Sequence, residues 1–174
     1  MTARFCFNRK MTIRNSTRSD WPEIIQIYNE AIEKGFSTAD LSPVTVESRG
    51  DWLNSHDCKE FPIYVFEAEN EVRGWASVSP YRSGRMALRY TAEISYYVSK
   101  SHLRQGIASQ LLDHTIEACQ ALGYRTLFGI LMDKNEGSVG LLEKFGFEKW
   151  GHMPKIADFD GTECGHIYMG KRIA

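Results

Sequence analysis

The chain has 174 residues, of which 43% are hydrophobic and 25% are charged, and its formal net charge is −1. This composition is typical of one globular domain that buries enough surface to need no disulfide or metal for stability. The near-neutral charge, without a lysine- or arginine-rich block, argues against a nucleic acid as the main ligand. No segment is apolar for long enough to predict a membrane span.

The four cysteines and five histidines are scattered along the chain. Neither set shows the C-x-x-C or H-E-x-x-H spacing that is typical of metal sites, so no metal is predicted. Cys119 falls on the apolar face of a predicted helix, where a free thiol behaves as a small apolar group. Unpaired cysteines fit a reducing compartment, and we expect a cytoplasmic protein.

Residues 1–10 differ in pattern from residues 11–174. The first ten residues contain basic side chains but lack the apolar run of a signal peptide, so we expect a disordered leader. Periodic apolar patterning begins at Met11, and no linker, repeat or low-complexity segment follows it. Residues 11–174 are therefore predicted to form one domain.

The predicted elements alternate between short strands and amphipathic helices. In chain order they are a strand at 12–15, a helix at 21–34, a short helix at 47–56, strands at 62–68, 72–79 and 88–98, a helix at 106–122, a strand at 126–131, a helix at 135–145, and strands at 147–153 and 165–173. A run of hairpins followed by β-α-β-α-β predicts an α/β fold with one mixed sheet.

The most informative stretch covers residues 96–112 and reads Y-Y-V-S-K-S-H-L-R-Q-G-I-A-S-Q-L-L. A strand ends there, a polar loop follows, and a helix opens at Gly106. The first turn of a helix has free N–H groups and a positive dipole end, so it attracts phosphate. Arg104 adds a cation, and small residues allow close approach. Neither a Walker loop nor the dinucleotide fingerprint is present. Alternatively, Gly106 and Ala108 only let the helix pack close to a strand.

Three runs together resemble a known family: T-A-E-I-S-Y-Y-V, then L-R-Q-G-I-A-S-Q-L-L, then N-E-G-S-V-G-L-L-E-K-F-G-F. Their order and spacing resemble the GNAT superfamily of N-acetyltransferases, and within it the phosphinothricin / methionine sulfoximine N-acetyltransferase group. The resemblance implies a twisted, mostly antiparallel sheet of about seven strands with about four helices. It also implies acetyl-CoA as the co-substrate, a small amino-acid-like amine as the acceptor, and a homodimer.

The resemblance implies a role for each matching residue. Main-chain groups of three strand residues are expected to bind the pantetheine arm: Tyr96, Tyr97 and Val98. The expected pyrophosphate cradle consists of Arg104, Gln105, Gly106, Ile107, Ala108 and Ser109. Asn135 is expected to bind the pantetheine region with its side-chain amide, with Ser138 nearby. Alternatively, Asn135 is a plain helix cap.

Leu142 departs from the pattern, because many relatives carry a tyrosine or histidine there as proton donor to the departing thiolate. A thiol with a pKa near 8.5 leaves reasonably well as the thiolate, so a dedicated acid is helpful rather than essential. An attacking amine must be neutral, and an α-amine titrates near 7.7–8.0, well below a lysine side chain. An enzyme with weak acid and base assistance is therefore better suited to acetylate the α-amine of an amino acid than the amine of a lysine side chain.

Glu93 is the candidate general base, acting directly or through a water molecule. Strand alternation places Glu93, Ser95 and Tyr97 on one face and the residues between them on the other. A carboxylate on that face suits the floor of a polar pocket. The alternative is an ordinary charged strand face in solvent.

Four further residues match substrate positions of the resembling group: Arg82, Arg89, Tyr81 and Tyr90. Guanidinium groups hold carboxylates through paired hydrogen bonds, so two arginines would select an anionic amine. The alternative is an exposed, mobile loop. Two other functions remain open, namely acetylation of a different acceptor (a protein N-terminus, a polyamine or an antibiotic) and a non-catalytic acyl-CoA sensor, which the loss of the usual donor at Leu142 keeps in consideration.

Overall fold

The computed structural model describes residues 11–174, so the predicted leader at 1–10 lies outside the described residues. The strands are β1 (Met11–Asn15), β2 (Ile63–Ala68), β3 (Glu71–Pro80), β4 (Thr91–Val98), β5 (Thr126–Met132), β6 (Glu148–Phe159) and β7 (Thr162–Arg172). The α-helices are α1 (Trp21–Lys34), α2 (Gly50–Ser55), α3 (Ile107–Ala121) and α4 (Glu136–Lys144). The predicted α/β architecture, with seven strands and four helices, is confirmed.

The seven strands form one sheet in the order β1-β2-β3-β4-β5-β7-β6. Every neighbouring pair is antiparallel except β4 and β5, which run parallel. That parallel ladder holds only three residue pairs, from Thr91 opposite Thr126 to Glu93 opposite Phe128. Beyond Glu93 the two strands separate, and the β5-facing edge of β4 has no strand partner within residues 11–174. A wedge-shaped cleft therefore opens in the middle of the sheet.

Helices cover both faces of the sheet, and the alternation predicted for β4 is confirmed. Tyr97 packs with the α1 face, where Ile24 and Trp75 belong to one apolar cluster. Tyr96 packs on the opposite face with α3 residues such as Leu111. The residues of α3 with buried side chains are Ile107, Leu111, Leu112, Thr115, Ile116 and Cys119. Helix α3 thus seals one side of the sheet beside the cleft.

Several element boundaries differ from the prediction. The short helix predicted at 47–56 is six residues long, because Thr45 and Ser48 exchange side-chain-to-backbone hydrogen bonds that hold the preceding turn. Strand β4 begins at Thr91, since a 3-10 turn occupies Met86–Leu88. Leu122, predicted on the buried face of α3, is 37% exposed at the helix end. None of the helices in residues 11–174 is long and apolar enough to span a membrane.

Candidate active site

Glu93 lies at the point where β4 and β5 separate. Its register partner is Phe128, and the next residues of the two strands are no longer paired. The carboxyl group is largely removed from water, and this desolvation raises its pKa above the ordinary value of 4.5. No hydrogen bond or ion pair from residues 11–174 counteracts that rise. A carboxyl group in this state is suited to accept a proton near neutral pH.

An aromatic group surrounds Phe128 and supplies the apolar wall beside Glu93. The Phe128 ring centroid lies 4.8 Å from that of Tyr81, 5.4 Å from Trp150 and 6.2 Å from Tyr168. Tyr81 is a predicted substrate residue, whereas Phe128, Trp150 and Tyr168 were not predicted. The alternation of β5 puts Phe128 on the face of Glu93. No sequence signal indicates that Trp150 reaches it from the sheet's outer strand.

A cluster of polar side chains lies on the same face of the sheet as Glu93, and this cluster was not predicted from the sequence. The Tyr28 hydroxyl lies 2.6 Å from Oγ1 of Thr38 and donates to Oδ2 of Asp40 at 2.7 Å. Arg49 forms an ion pair with the same Asp40 oxygen. Burial raises the pKa of Tyr28 to about 12, and burial also raises the pKa of Tyr97, whose ring makes an edge contact with Tyr28. Both phenols therefore stay protonated at neutral pH.

The loop after α1 touches the tip of the β6–β7 hairpin. The ring of Phe36 lies 4.8 Å from that of Phe159, and the Lys134 ammonium lies 5.0 Å from the Phe36 ring centroid. Phe36 has a positive φ of 56°, which is an uncommon backbone conformation for a non-glycine residue. The contact joins the loop after α1 to the β6–β7 hairpin.

The predicted pyrophosphate cradle surrounds the start of α3. Gly106 precedes the helix in the left-handed conformation, with φ of 80°, which a glycine adopts without a Cβ penalty. Arg104 also has a positive φ, and residues 103–106 are exposed. Helix α3 lies tightly on the sheet, since a Cβ on Gly74 would come within 3.0 Å of the Tyr97 carbonyl and 3.1 Å of Ile107. The first N–H groups of α3 have no partner inside the helix and face outward from its open end.

Asn135 precedes α4 on the other side of the cleft. Its Oδ1 accepts a 3.4 Å hydrogen bond from the backbone N–H of Ser138, so it caps the helix as the simpler interpretation expects. Its side-chain N–H₂ makes no hydrogen bond within the described part of the chain and can donate to another group. The Tyr96 hydroxyl reaches across from β4 to within 3.4 Å of the Ser138 carbonyl.

Leu142 fills the space beneath β5. Its side chain is fully buried, and a Cβ on Gly129 would lie only 2.6 Å from its Cδ1. An aliphatic group in tight contact with the strand therefore occupies this position. Leu142 itself cannot donate a proton.

The four predicted substrate residues divide into two places. Arg82 lies over the ring of Tyr81, at 5.8 Å from its centroid, beside the Phe128 group. Arg89 instead lies 4.3 Å from the ring centroid of Tyr90, and Arg125 lies 4.4 Å from the same centroid. Arg89 also donates to the Met86 carbonyl at 2.9 Å. Arg89 and Tyr90 thus pack together just before β4, and the ring contacts of Phe128 within residues 11–174 do not include Tyr90.

The cleft can hold a long substrate that carries a diphosphate group. It combines an unpaired strand edge, a helix start with outward N–H groups, and a desolvated carboxyl group at its inner end. Among residues 11–174, no group of three or more His, Cys, Asp and Glu side chains is placed to hold a metal ion.

The sequence model of the Acetyltransferase (GNAT) family matches residues 21–147. The chain therefore belongs to the acetyltransferase (GNAT) family. Acetyl-CoA is accordingly the acyl donor, and the reaction is N-acetylation.

Two related sequences and one solved structure within that family are similar to this chain along most of its length. YwnH of Bacillus subtilis is 35% identical over 165 residues, which is 94% of this chain and all of YwnH. The L-methionine sulfoximine/L-methionine sulfone acetyltransferase of Pseudomonas aeruginosa is 32% identical over 159 residues, covering 91% of this chain and 92% of that protein. The structure of a phosphinothricin acetyltransferase from Sinorhizobium meliloti in complex with acetyl-CoA superimposes with a TM-score of 0.87 at 26% identity, covering 93% and 88% of the two chains.

Proposed function

We propose that this N-acetyltransferase acetylates the primary amine of a small, anionic, amino-acid-like acceptor of the phosphinothricin, methionine sulfoximine or methionine sulfone type. The observation that carries the proposal is the desolvated Glu93 carboxyl group at the inner end of the cleft. The names of the related acetyltransferases support the acceptor class.

The chain's own groups would hold acetyl-CoA along both sides of the cleft. Main-chain groups of Tyr96, Tyr97 and Val98 lie on the β4 edge that lacks a strand partner, and would bind the pantetheine arm. The predicted cradle of Arg104, Gln105, Gly106, Ile107, Ala108 and Ser109 would bind the diphosphate. Asn135 would donate its free amide N–H to a pantetheine carbonyl, with Ser138 beside it. A backbone N–H near Val98 would stabilise the oxyanion formed during attack.

Glu93 would act as the general base, directly or through one water molecule. The amine must be neutral to attack, and a carboxylate whose pKa is raised takes its proton more readily than an ordinary one. An α-amine, with a pKa of about 7.7–8.0, needs only modest assistance of this kind.

Direct attack in a ternary complex is the favoured route, because the two buried cysteines among residues 11–174 are unsuited to carry an acyl group. Cys119 is fully buried, and burial raises the pKa of its thiol to about 12. Cys164 is also buried, with its pKa raised by desolvation. Since the thiolate is the nucleophilic form, both thiols are held unreactive. We expect sequential rather than ping-pong kinetics.

Arg82 would bind the acceptor's carboxylate or phosphinate. It is the predicted substrate arginine that lies beside the Tyr81–Phe128 group, and no carboxylate within residues 11–174 forms an ion pair with it. Arg89 and Tyr90, which were predicted for the same role, would also contact the acceptor, from their position just before β4. A guanidinium group near the amine pocket would select anionic amines over polyamines.

The experiment is a turnover screen with acetyl-CoA, detecting free thiol. The panel holds amino acids, methionine sulfone, methionine sulfoximine, phosphinothricin, polyamines, aminoglycosides and N-terminal peptides. Turnover that is fastest on the anionic amino-acid analogues is expected. Turnover confined to cationic amines or peptides would refute the acceptor class.

We further propose that residues 11–174 act as one domain, in the cytoplasm and as a homodimer. The three described cysteines are free, which supports a reducing compartment. Strand β6 lies at the edge of the sheet and exposes Trp150, Met153 and Ile156, which supports a contact between two copies. Sedimentation should give the dimer mass for the native chain and a smaller mass for Ile156→Lys. A monomeric native chain would exclude the dimer.

A further inference from the structure

The cleft contains a buried hydroxyl that the proposed mechanism does not yet use. Tyr96 lies on the part of β4 beyond Glu93, where the strand has no partner on its β5 side within the described residues. Its side chain points to the face covered by α3 and α4, and its ring packs against apolar clusters of that face. The hydroxyl therefore lies beneath that face of the sheet, next to α4, and not on the outer surface.

The hydroxyl is close to the helix that carries Leu142. Its 3.4 Å contact is with the carbonyl of Ser138, which precedes Leu142 by one helical turn. A contact of this length is at the weak end of the hydrogen-bonding range, so the hydroxyl proton is readily redirected to a better acceptor. Leu142 is aliphatic and is held against Gly129, so it offers no competing donor there.

We propose that the Tyr96 side chain, through its hydroxyl group, donates a hydrogen bond to the sulfur atom of the departing coenzyme A thiolate. This inference rests on the proposed function, because it concerns the same cleft and the same reaction. It adds a side-chain role to a residue so far used only for its main chain. A phenol on β4 thereby replaces a donor on α4.

The step balances without a further reactant. The amine nitrogen forms the C–N bond and gives up a proton to Glu93. The C–S bond then breaks, its electron pair goes to sulfur, and the thiolate leaves with the Tyr96 hydrogen bond. Tyr96 keeps its proton throughout, because burial raises its pKa to about 12, whereas a thiol ionises near 8.5. The group therefore stabilises the anion and does not neutralise it.

The test needs no acceptor and uses product coenzyme A bound to the native protein. The ultraviolet absorbance of the thiolate is followed as pH rises, and the same titration with desulfo-coenzyme A is subtracted. A hydrogen bond to the anion lowers the pKa of the bound thiol. We expect Tyr96→Phe to raise that pKa by roughly one unit or more relative to the native protein.

Tyr124→Phe is the matched control, since Tyr124 is another buried phenol, whose hydroxyl donates to the Glu60 carbonyl at 3.1 Å. It should leave the bound thiol's pKa unchanged. Equal thiol pKa values in the native protein and Tyr96→Phe would overturn the proposal. So would weaker coenzyme A binding with an unchanged thiol pKa, because that result shows packing alone.

A kinetic measurement completes the test, with whichever amine the native enzyme acetylates fastest. Tyr96→Phe should lower kcat about ten- to a hundredfold, the range expected for one hydrogen bond to a charged group, with KM for acetyl-CoA little changed. A kcat within twofold of the native value would overturn the proposal. Because any acetylated amine serves, failure of the anionic acceptor class and failure of the Tyr96 role give different results.

Discussion

Glu93 and Phe128 form the last residue pair of the parallel ladder between β4 and β5. The end of that ladder and the start of the cleft are therefore the same place. The pairing puts the two side chains on the same face of the sheet, and burial raises the pKa of Glu93. Backbone geometry and acid–base chemistry are thus linked at one position.

Replacing Glu93 by Gln should lower kcat/KM about 10²- to 10⁴-fold, because the amide cannot accept the amine proton. The native rate should rise as pH increases through the raised pKa of Glu93, since only the ionised form is a base. The variant should lack that inflection. Steady-state rates across pH test this, with exposed Glu117→Gln on α3 as the control. A variant that keeps the native pH profile would exclude Glu93 as the base.

The same Glu93→Gln change should stabilise the fold at neutral pH. The native state holds a proton on Glu93 more tightly than the unfolded state does, so ionisation above the raised pKa costs stability. The variant removes that cost. Below the unfolded value of 4.5 both side chains are neutral, and the difference in Tm should vanish. Thermal unfolding at acidic and neutral pH measures this difference in Tm. A Glu93→Gln variant that is less stable than the native protein at neutral pH would contradict the conclusion that the Glu93 carboxylate is destabilised by burial.

Replacing Arg82 by Ala should raise KM for an anionic acceptor roughly ten- to a hundredfold, which corresponds to the loss of a charged hydrogen-bond pair. The KM for acetyl-CoA should stay the same. Arg85→Ala is the control, because Arg85 is exposed in the same loop. The difference between the two variants should disappear with the carboxamide form of the acceptor. Equal effects of the two variants on the anionic acceptor would remove Arg82 from the site.

Introducing Ala at Gly129 should destabilise the protein by about 1–3 kcal/mol, because the new Cβ would overlap Leu142 at 2.6 Å inside a packed core. Gly140→Ala on α4 is the control. A Cβ there meets no atom within 4 Å, and alanine favours the helix by up to about 1 kcal/mol. Denaturant unfolding separates the two. If Gly129→Ala unfolds at the native midpoint, Leu142 does not fill the space beneath β5.

The sequence predicted an element's limits well where residues next to those limits determine them. Pro22 in the first turn and Gly35 after the last determine α1, and its predicted limits coincide with Trp21–Lys34. The break between the strands predicted at 62–68 and 72–79 was also correctly located, and it holds a turn at Glu69 and Asn70, both with positive φ. Helix α2 was predicted too long, because its apolar pattern continues into a turn that Thr45 and Ser48 hold by side-chain bonds.

The candidate site was predictable only in part. Glu93 and the α3 cradle lie within one continuous stretch of chain, so their spacing carries information. The contacts of Phe128 with Tyr81 and Trp150 join three distant segments, and they depend on how β6 folds back against β7. Arg82 and Arg89 are close in sequence, yet the backbone turn at Arg82, with φ of 58°, and the 3-10 turn after it send them to different places.

The three-pair ladder between β4 and β5 also divides the sheet mechanically. One half-sheet consists of β1 to β4 and the other of β5, β7 and β6, and each half is joined internally by longer antiparallel ladders. The three-pair ladder is the strand pairing that joins the two half-sheets within residues 11–174, and one apolar core cluster, with Val78 and Leu127 among its members, packs beneath both. A substrate bound between β4 and β5 beyond Glu93 would contact both half-sheets, so its binding would add to the stability of the assembled sheet.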